Sequence, residues 1–107
     1  MSSRIQQLEA FVHEDPDDPF NLYALALEYA KSDGRKAIDV FIQLLKMHPD
    51  YIPTYYQLGK LYIEFSENER ALEVFDQGIR VTTEKKDYKA LREIQAARQE
   101  LLSDLED

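Results

Sequence analysis

Residues 54–63 read TYYQLGKLYI, and residues 21–30 read NLYALALEYA. Placed one above the other, the two stretches coincide at a spacing of 33 residues in a leucine, a small residue and a tyrosine. The coinciding pairs are Leu25 with Leu58, Ala26 with Gly59, and Tyr29 with Tyr62. A pattern of this kind that returns after 33 residues indicates an internal repeat.

A second pair of stretches extends the match. RKAIDVF at 35–41 lies over ERALEVF at 69–75 at a spacing of 34, so the extra residue falls in the connecting turn. Apolar residues in these stretches recur at the spacings of three and four that are typical of helices. Two helical patterns that return together every 33 to 34 residues predict stacked helical hairpins, each burying its apolar face against its neighbours.

The composition agrees with an all-α fold. Of the 107 residues 44% are hydrophobic, and only three are Gly and four are Pro, which suits helices better than hairpin-rich sheets. A chain of this length is predicted to form a single domain over residues 1–107. Because a repeat array usually needs about three units for stability, we expect additional helices to seal its ends.

The chain is acidic, with 21 Asp and Glu against 13 Lys and Arg and a net charge of −8. This charge repels a nucleic-acid backbone, and the sequence offers no basic aromatic surface for RNA. Basic partners are favoured instead. The acidity is spread along the chain, however, and solubility alone also explains it.

The sequence also bears on location. No apolar run approaches the roughly 18 residues of a membrane span, and residues 1–18 lack the apolar stretch of a secretory signal. The absence of cysteine excludes disulfides and thiolate chemistry. We therefore expect a soluble, cytoplasmic protein with no membrane partner.

Capping residues predict where the helices begin. Ser3 is followed three residues later by Gln, the spacing of a capping box, and Ser66 is followed in the same way by Glu. Asp18 and Pro19 suit an N-cap and the first helical position.

The last helix boundary is placed at Thr82 and Thr83. The residues beyond them contain no Gly or Pro, so they are predicted to form one long helix. The predicted segments are an N-terminal half-repeat helix at 3–14, repeat 1 at 19–51, repeat 2 at 52–83 and a C-terminal helix at 84–107.

The repeat resembles a known family. The pattern W-x2-L-G-x2-Y, followed by A-x3-F and then P, is the signature of the tetratricopeptide repeat. The residues that match it, with Tyr in place of Trp, are Tyr55, Leu58, Gly59, Tyr62, Ala71 and Phe75. Residues 52–85 resemble a full repeat and residues 19–51 a divergent one. The resemblance implies antiparallel hairpins stacked as a short right-handed solenoid of about six helices, with a long C-terminal capping helix.

Helix two, which opens the first repeat, is apolar on two opposite faces. At 100° per residue, Leu22 and Leu25 lie on one side, while Phe20, Tyr23 and Leu27 lie on the other. One face packs on helix three, so the other face needs a partner.

In tetratricopeptide domains the first helix of each repeat lines a concave surface, and partner peptides bind there. The resemblance implies a non-catalytic scaffold or adaptor that binds a peptide or helical segment of a protein partner in this groove. The residues implied to bind are Phe20, Tyr23, Leu27, Tyr56, Lys60 and Ile63. The competing interpretation is that the terminal helices or a second copy of the chain cover this face and make it core.

Some relatives grip a C-terminal carboxylate with a Lys, Arg and Asn clamp on these helices. The corresponding face here offers Tyr, Leu and one Lys, so we do not expect that clamp. An amphipathic helix or an extended apolar segment anchored by aromatic side chains is the expected ligand.

A structural homo-oligomer is the alternative function. The residues that would pair with a second copy through the C-terminal helix are Leu101, Leu102 and Leu105, and the apolar groove offers a second route to self-association. The commoner role of such a helix is to cap helix five against solvent.

Residues for chemistry are few. His13 and His48 lie near prolines at helix ends, and neither has a second imidazole or thiol at ligand spacing. The acidic run at 14–18 lacks the Gly and the spacing of a calcium loop. There is no Gly-rich phosphate loop. We therefore expect no catalytic residues, no metal and no cofactor.

Overall fold

The computed structural model describes residues 3–107, which form six α-helices and no strand. The helices are α1 (Arg4–Glu14), α2 (Pro19–Ala30), α3 (Gly34–Met47), α4 (Pro53–Glu64), α5 (Asn68–Lys85) and α6 (Tyr88–Glu106). The predicted all-α class and the predicted number of helices are confirmed. Packing divides the described chain into two compact units, the first ending at Tyr51 and the second beginning at Ile52.

The helix starts follow local side-chain chemistry. Ser3 Oγ accepts the backbone N–H of Gln6 at 3.0 Å, and the Gln6 side chain accepts the N–H of Ser3 at 3.0 Å, so the predicted capping box is confirmed. Asp18 accepts the N–H of Phe20 at 2.9 Å, and Pro19 occupies the first turn of α2, as predicted. These caps satisfy amides that the helix itself leaves without a partner.

In the first unit, α2 packs against both α1 and α3. The centre of its core is fully buried and consists of Ala26, Ala37, Phe41 and Leu44. Tyr29, which is 5% exposed, donates its O–H to Glu9 of α1 at 2.6 Å, and Lys36 Nζ lies 4.9 Å from its ring centroid. Tyr29 therefore ties α1 to the α2–α3 hairpin.

In the second unit, α4 packs on α5, and α6 packs on both of them. A Cβ added at Gly59 of α4 would overlap the ring of Phe75 on α5. A Cβ added at Gly78 of α5 would lie 2.8 Å from Tyr55 Cβ and 3.0 Å from Ile94 Cδ1. Both glycines therefore allow close backbone approach.

The two hairpins fill corresponding space with different side chains. Gly78 of α5 occupies the register position that Leu44 holds in α3, and Tyr55 of α4 occupies the position that Leu22 holds in α2. Leu22 and Leu44 are buried, as is Tyr55. The α4–α5 hairpin thus has a tyrosine and a glycine at these two positions, whereas the α2–α3 hairpin has two leucines.

The predicted capping box at Ser66 is wrong. Ser66 has a φ of 58° and belongs to the end of α4, where its N–H donates to Ile63 O at 2.9 Å and the N–H of the next residue donates to Tyr62 O at 2.8 Å. This pair of hydrogen bonds is a Schellman motif, whose left-handed residue cannot also adopt the extended conformation of an N-cap. Helix α5 accordingly begins at Asn68.

The predicted boundary at Thr82 and Thr83 is also wrong. Their hydroxyls donate to carbonyls one turn back, Thr82 Oγ1 to Gly78 O at 2.7 Å and Thr83 Oγ1 to Ile79 O at 2.6 Å, and the helix continues to Lys85. Lys86, the residue after the last helical one, has a φ of 60° and stops the helix. The last helix therefore begins at Tyr88 rather than at residue 84. Its N-cap is Asp87, whose side chain accepts the N–H of Ala90 at 3.2 Å.

Candidate binding surfaces

The first unit places its three predicted binding residues on α2 with different exposure. Phe20 is 62% exposed, whereas Tyr23 and Leu27 are half-buried. The Tyr23 ring lies 6.0 Å from that of Phe41 and 5.5 Å from that of Tyr51, measured between centroids at tilted angles that favour aromatic pairs. Tyr23 is thus held by neighbouring rings, while Phe20 presents apolar surface to solvent.

Burial raises the pKa of Tyr51 above its ordinary value of 10.0, and the nearby carboxylate of Asp18 raises the pKa further. The neutral phenol is therefore the form present at physiological pH. Its ring serves as an uncharged support for Tyr23 at the exit of α3.

The second unit places its three predicted residues on α4. Tyr56 and Ile63 are half-buried and Lys60 is exposed. Lys60 Nζ lies 5.9 Å from the centroid of the Tyr56 ring, within the range of a cation–π contact. The α4 face therefore carries an aromatic ring that already accepts a cation.

Helix α6 forms the opposite wall of a cleft along this face. One part of the cleft encloses about 440 Å³, and its lining residues are Tyr56, Lys60, Glu93, Ala96, Ala97 and Glu100. A second part encloses about 240 Å³, and its lining residues are Ile52, Pro53, Tyr56, Asp87, Lys89, Ala90, Glu93 and Ile94. Because Tyr56 and Glu93 line both parts, we call the two together the α4–α6 cleft. In the second unit, α6 thus borders the face of α4 rather than filling it.

The α6 wall was not predicted from the sequence. Glu93, Ala97 and Glu100 are spaced four and three residues apart and form a stripe along one edge of the buried face of α6. Ala97 itself belongs to that buried face, together with Ile94 and Leu101. The adjacent alanines at 96 and 97, flanked by glutamates, were the available signal, because small residues on a helix allow another chain to approach closely.

The three leucines proposed for self-association differ in burial. Leu101 is 4% exposed, Leu102 is half-buried and Leu105 is 51% exposed. Only Leu105 among the three offers a large part of its side chain to solvent, so any pairing through this end would rely chiefly on it. Self-association remains a prediction.

The cleft carries charges of both signs. Its carboxylates belong to Asp87, Glu93 and Glu100, and its ammonium groups belong to Lys60 and Lys89. Within residues 3–107, neither Glu93 nor Glu100 forms an ion pair, although Lys60 lines the same space. The carboxylates remain available to a ligand.

No group of three or more His, Cys, Asp or Glu among the described residues could hold a metal ion. No helix within residues 3–107 is both long and apolar enough to cross a membrane.

Helical hairpins that recur along the chain and pack through small residues define the class of α-helical repeat domains. The family model described as tetratricopeptide repeat matches residues 28–101. The chain belongs to the tetratricopeptide repeat family. Domains of this family generally mediate protein–protein interaction and are generally non-catalytic scaffolds.

Solved structures agree with this assignment. A tetratricopeptide repeat domain protein from Salinibacter ruber is similar in its solution structure, with 42% identity and a TM-score of 0.77 over 81% of this chain and 89% of that one. A crystal structure of such a protein from the same organism gives 40% identity and a TM-score of 0.76 over 80% and 97%.

More distant likeness extends to the fold alone. Protein BPP2914 from Bordetella parapertussis has 20% identity and a TM-score of 0.83 over 97% of this chain and 91% of that one. MamA has 22% identity and a TM-score of 0.65 over 95% and 67%. No curated protein matches the chain.

Proposed function

We propose that this protein is a non-catalytic adaptor that binds a peptide or helical segment of a protein partner. Two separate surfaces contact the partner: the outer face of α2 at Phe20, Tyr23 and Leu27, and the α4–α6 cleft around Tyr56. Lys60 also lines this cleft, whereas Ile63 lies on α4 outside its lining. The observation that carries the proposal is the cleft itself, which leaves the Tyr56 ring accessible between two packed helices.

The side chains on both faces suit this role. Aromatic residues dominate the energetics of protein interfaces because they bury a large area while losing little conformational freedom. Phe20 is 62% exposed and therefore offers a large apolar ring to a partner. Tyr56 combines a ring for apolar contact with a hydroxyl for hydrogen bonding.

Two steps test the proposal. A photoreactive phenylalanine analogue at position 56, in cell extract, should cross-link a protein partner that the same analogue at position 88 does not capture. Tyr88 is a suitable control because it is 54% exposed and lies outside the cleft. The captured partner is then purified for binding measurements.

With the purified partner, Phe20→Ala and Tyr56→Ala should each weaken binding about tenfold, the effect of losing an interface anchor. Tyr88→Ala should leave the affinity unchanged. Circular dichroism must show that each variant is folded. Unchanged affinity in both Phe20→Ala and Tyr56→Ala would place the binding site elsewhere on the molecule.

The cytoplasmic location inferred from the lack of cysteine belongs to the same proposal. Cell fractionation with an antibody to the chain tests it. Recovery with membranes or outside the cell would contradict this location.

Self-association is a second candidate, favoured by the 51% exposure of Leu105. Light scattering over a dilution series measures it on the full chain. Leu105→Ser should convert a dimer to a monomer without disturbing the core, whereas truncation before Leu101 would remove a buried side chain as well. A monomer at all concentrations excludes this candidate.

A further inference from the structure

We propose that the α4–α6 cleft binds two arginine side chains, three residues apart, on an extended segment of the partner. This inference rests on the proposed function and specifies the chemistry of its ligand. It follows from the two walls of the cleft, which carry complementary parts of an arginine site.

The α6 wall supplies carboxylates at a fixed separation. Glu93 and Glu100 are seven residues apart, so they lie on one side of the helix and about 10.5 Å apart along its axis. Both side chains are exposed, and both line the larger part of the cleft. Ala96 and Ala97 lie between them and leave room for an incoming chain.

The α4 wall supplies an aromatic surface that accepts a cation. Lys60 Nζ is 5.9 Å from the Tyr56 ring centroid, although Lys60 forms no ion pair among the described residues. Tyr56 and Glu93 line both parts of the cleft. An arginine can stack its planar guanidinium on the ring and donate two hydrogen bonds to the carboxylate, a combination that a lysine cannot match.

The size and spacing of the cleft favour an extended ligand. A volume of about 440 Å³ is less than half of the roughly 1,000 Å³ that two turns of a helix about 11 Å in diameter occupy. A polyproline II segment rises about 3.1 Å per residue with three residues per turn. Side chains three positions apart therefore share one face about 9 Å apart, close to the separation of the two glutamates.

Charge over the whole molecule acts in the same direction. The chain carries a net charge of −8, which attracts cationic segments and speeds their encounter. Lys60 opposes this attraction locally and competes for the Tyr56 ring. Its removal is therefore expected to improve binding of arginine, whereas a ligand that uses Lys60 as an anion anchor would respond in the opposite way.

The test titrates the full-length, ¹⁵N-labelled chain with a short proline-rich peptide carrying two arginines three positions apart. Amide shifts should change at Tyr56, Glu93 and Glu100. The same peptide with citrulline, an uncharged analogue of arginine of similar shape, should bind at least about fivefold more weakly.

Variants separate the site from general attraction. Glu93→Gln combined with Glu100→Gln should weaken the arginine peptide about fivefold or more. Glu69→Gln combined with Glu73→Gln changes the net charge equally but alters a different cleft beside α5, and it should have little effect. Lys60→Gln should strengthen binding.

Equal binding of the citrulline peptide, or equal weakening by the two double variants, would overturn the inference. So would tighter binding of a matched peptide with glutamates in place of arginines. If these results appear while Tyr56→Ala still weakens the native partner, the arginine inference fails and the adaptor function stands. If the arginine peptide binds as expected while Tyr56→Ala and Phe20→Ala both spare the partner, the cleft accepts arginine but the proposed site for this partner is wrong.

Discussion

Replacing Gly59 with alanine tests the tightest contact in the second unit. The added Cβ would lie 2.6 Å from Phe75 Cζ and 2.8 Å from Phe75 Cδ1, which is closer than non-bonded carbon atoms approach each other in proteins. Phe75 is fully buried, so its ring can move only by displacing other core side chains. Overpacking of this kind costs about 1 to 3 kcal/mol.

A second effect opposes the first. Alanine is favoured over glycine inside a helix by about 1 kcal/mol. Taking the middle of the overpacking range, we expect Gly59→Ala to lower the free energy of unfolding by about 1 kcal/mol. The melting temperature should fall by roughly 4 °C in a domain of about this size.

Urea unfolding followed by circular dichroism measures the change. The matched control is Phe75→Leu, made alone and together with Gly59→Ala. A smaller side chain at position 75 relieves the overlap, so the double variant should lose less stability than the sum of the single changes, by about 0.5 to 3 kcal/mol. A rise in stability for Gly59→Ala alone, as helix propensity predicts without any steric contact, would refute the reasoning.

Three other predictions concern buried side chains. Phe75→Ala should lower the free energy of unfolding by about 3 to 5 kcal/mol, and a melting shift of one or two degrees would contradict this. Thr54→Val should be neutral or stabilising in urea unfolding, because the buried Thr54 hydroxyl has no hydrogen-bond partner among the described residues, whereas Thr82→Val should cost about 1 kcal/mol through its lost hydroxyl bond. The hydrogen bond to Glu9 and burial raise the pKa of Tyr29 above 10.0. The neutral phenol therefore contributes its full stability below about pH 10 and loses it as pH rises through the raised pKa. Ultraviolet titration should show that Tyr29→Phe removes a late-ionising phenol, and removal of an early-ionising one would refute the assignment.

Features that depend on nearby residues were predictable from the sequence. The capping box at Ser3 involves one turn of helix, and Asp18 and Pro19 act within the first turn of α2, so each signal lies within a few residues. The close approach at Gly59 was predictable for a different reason, since the repeat placed a small residue at the same register in each unit.

The helix ends that were mispredicted share one cause. Ser66 and Lys86 both take left-handed backbone conformations in Schellman motifs, a position that glycine usually fills. With no glycine to mark them, the ends of α4 and α5 depend on the packing of the surrounding helices. A serine or lysine gives no local sign of that conformation.

The binding surfaces were predictable only in part. The α2 and α4 faces followed from helical periodicity. The α6 wall did not, because the face that α6 turns toward α4 depends on the chain reversal at Lys86 and on the close packing of Gly78 against Ile94. Neither feature has a periodic signature in the sequence.

The unlike pairs Tyr55 with Gly78 and Leu22 with Leu44 limit how this chain can evolve or be redesigned. Making the two repeats identical at one of these positions would leave either a void or a collision, so mutational drift here must proceed through coupled substitutions. A consensus sequence averaged column by column would combine side chains that do not fit each other, such as the tyrosine of one pair with the leucine of the other. Transplanting both members of a pair together is the safe exchange.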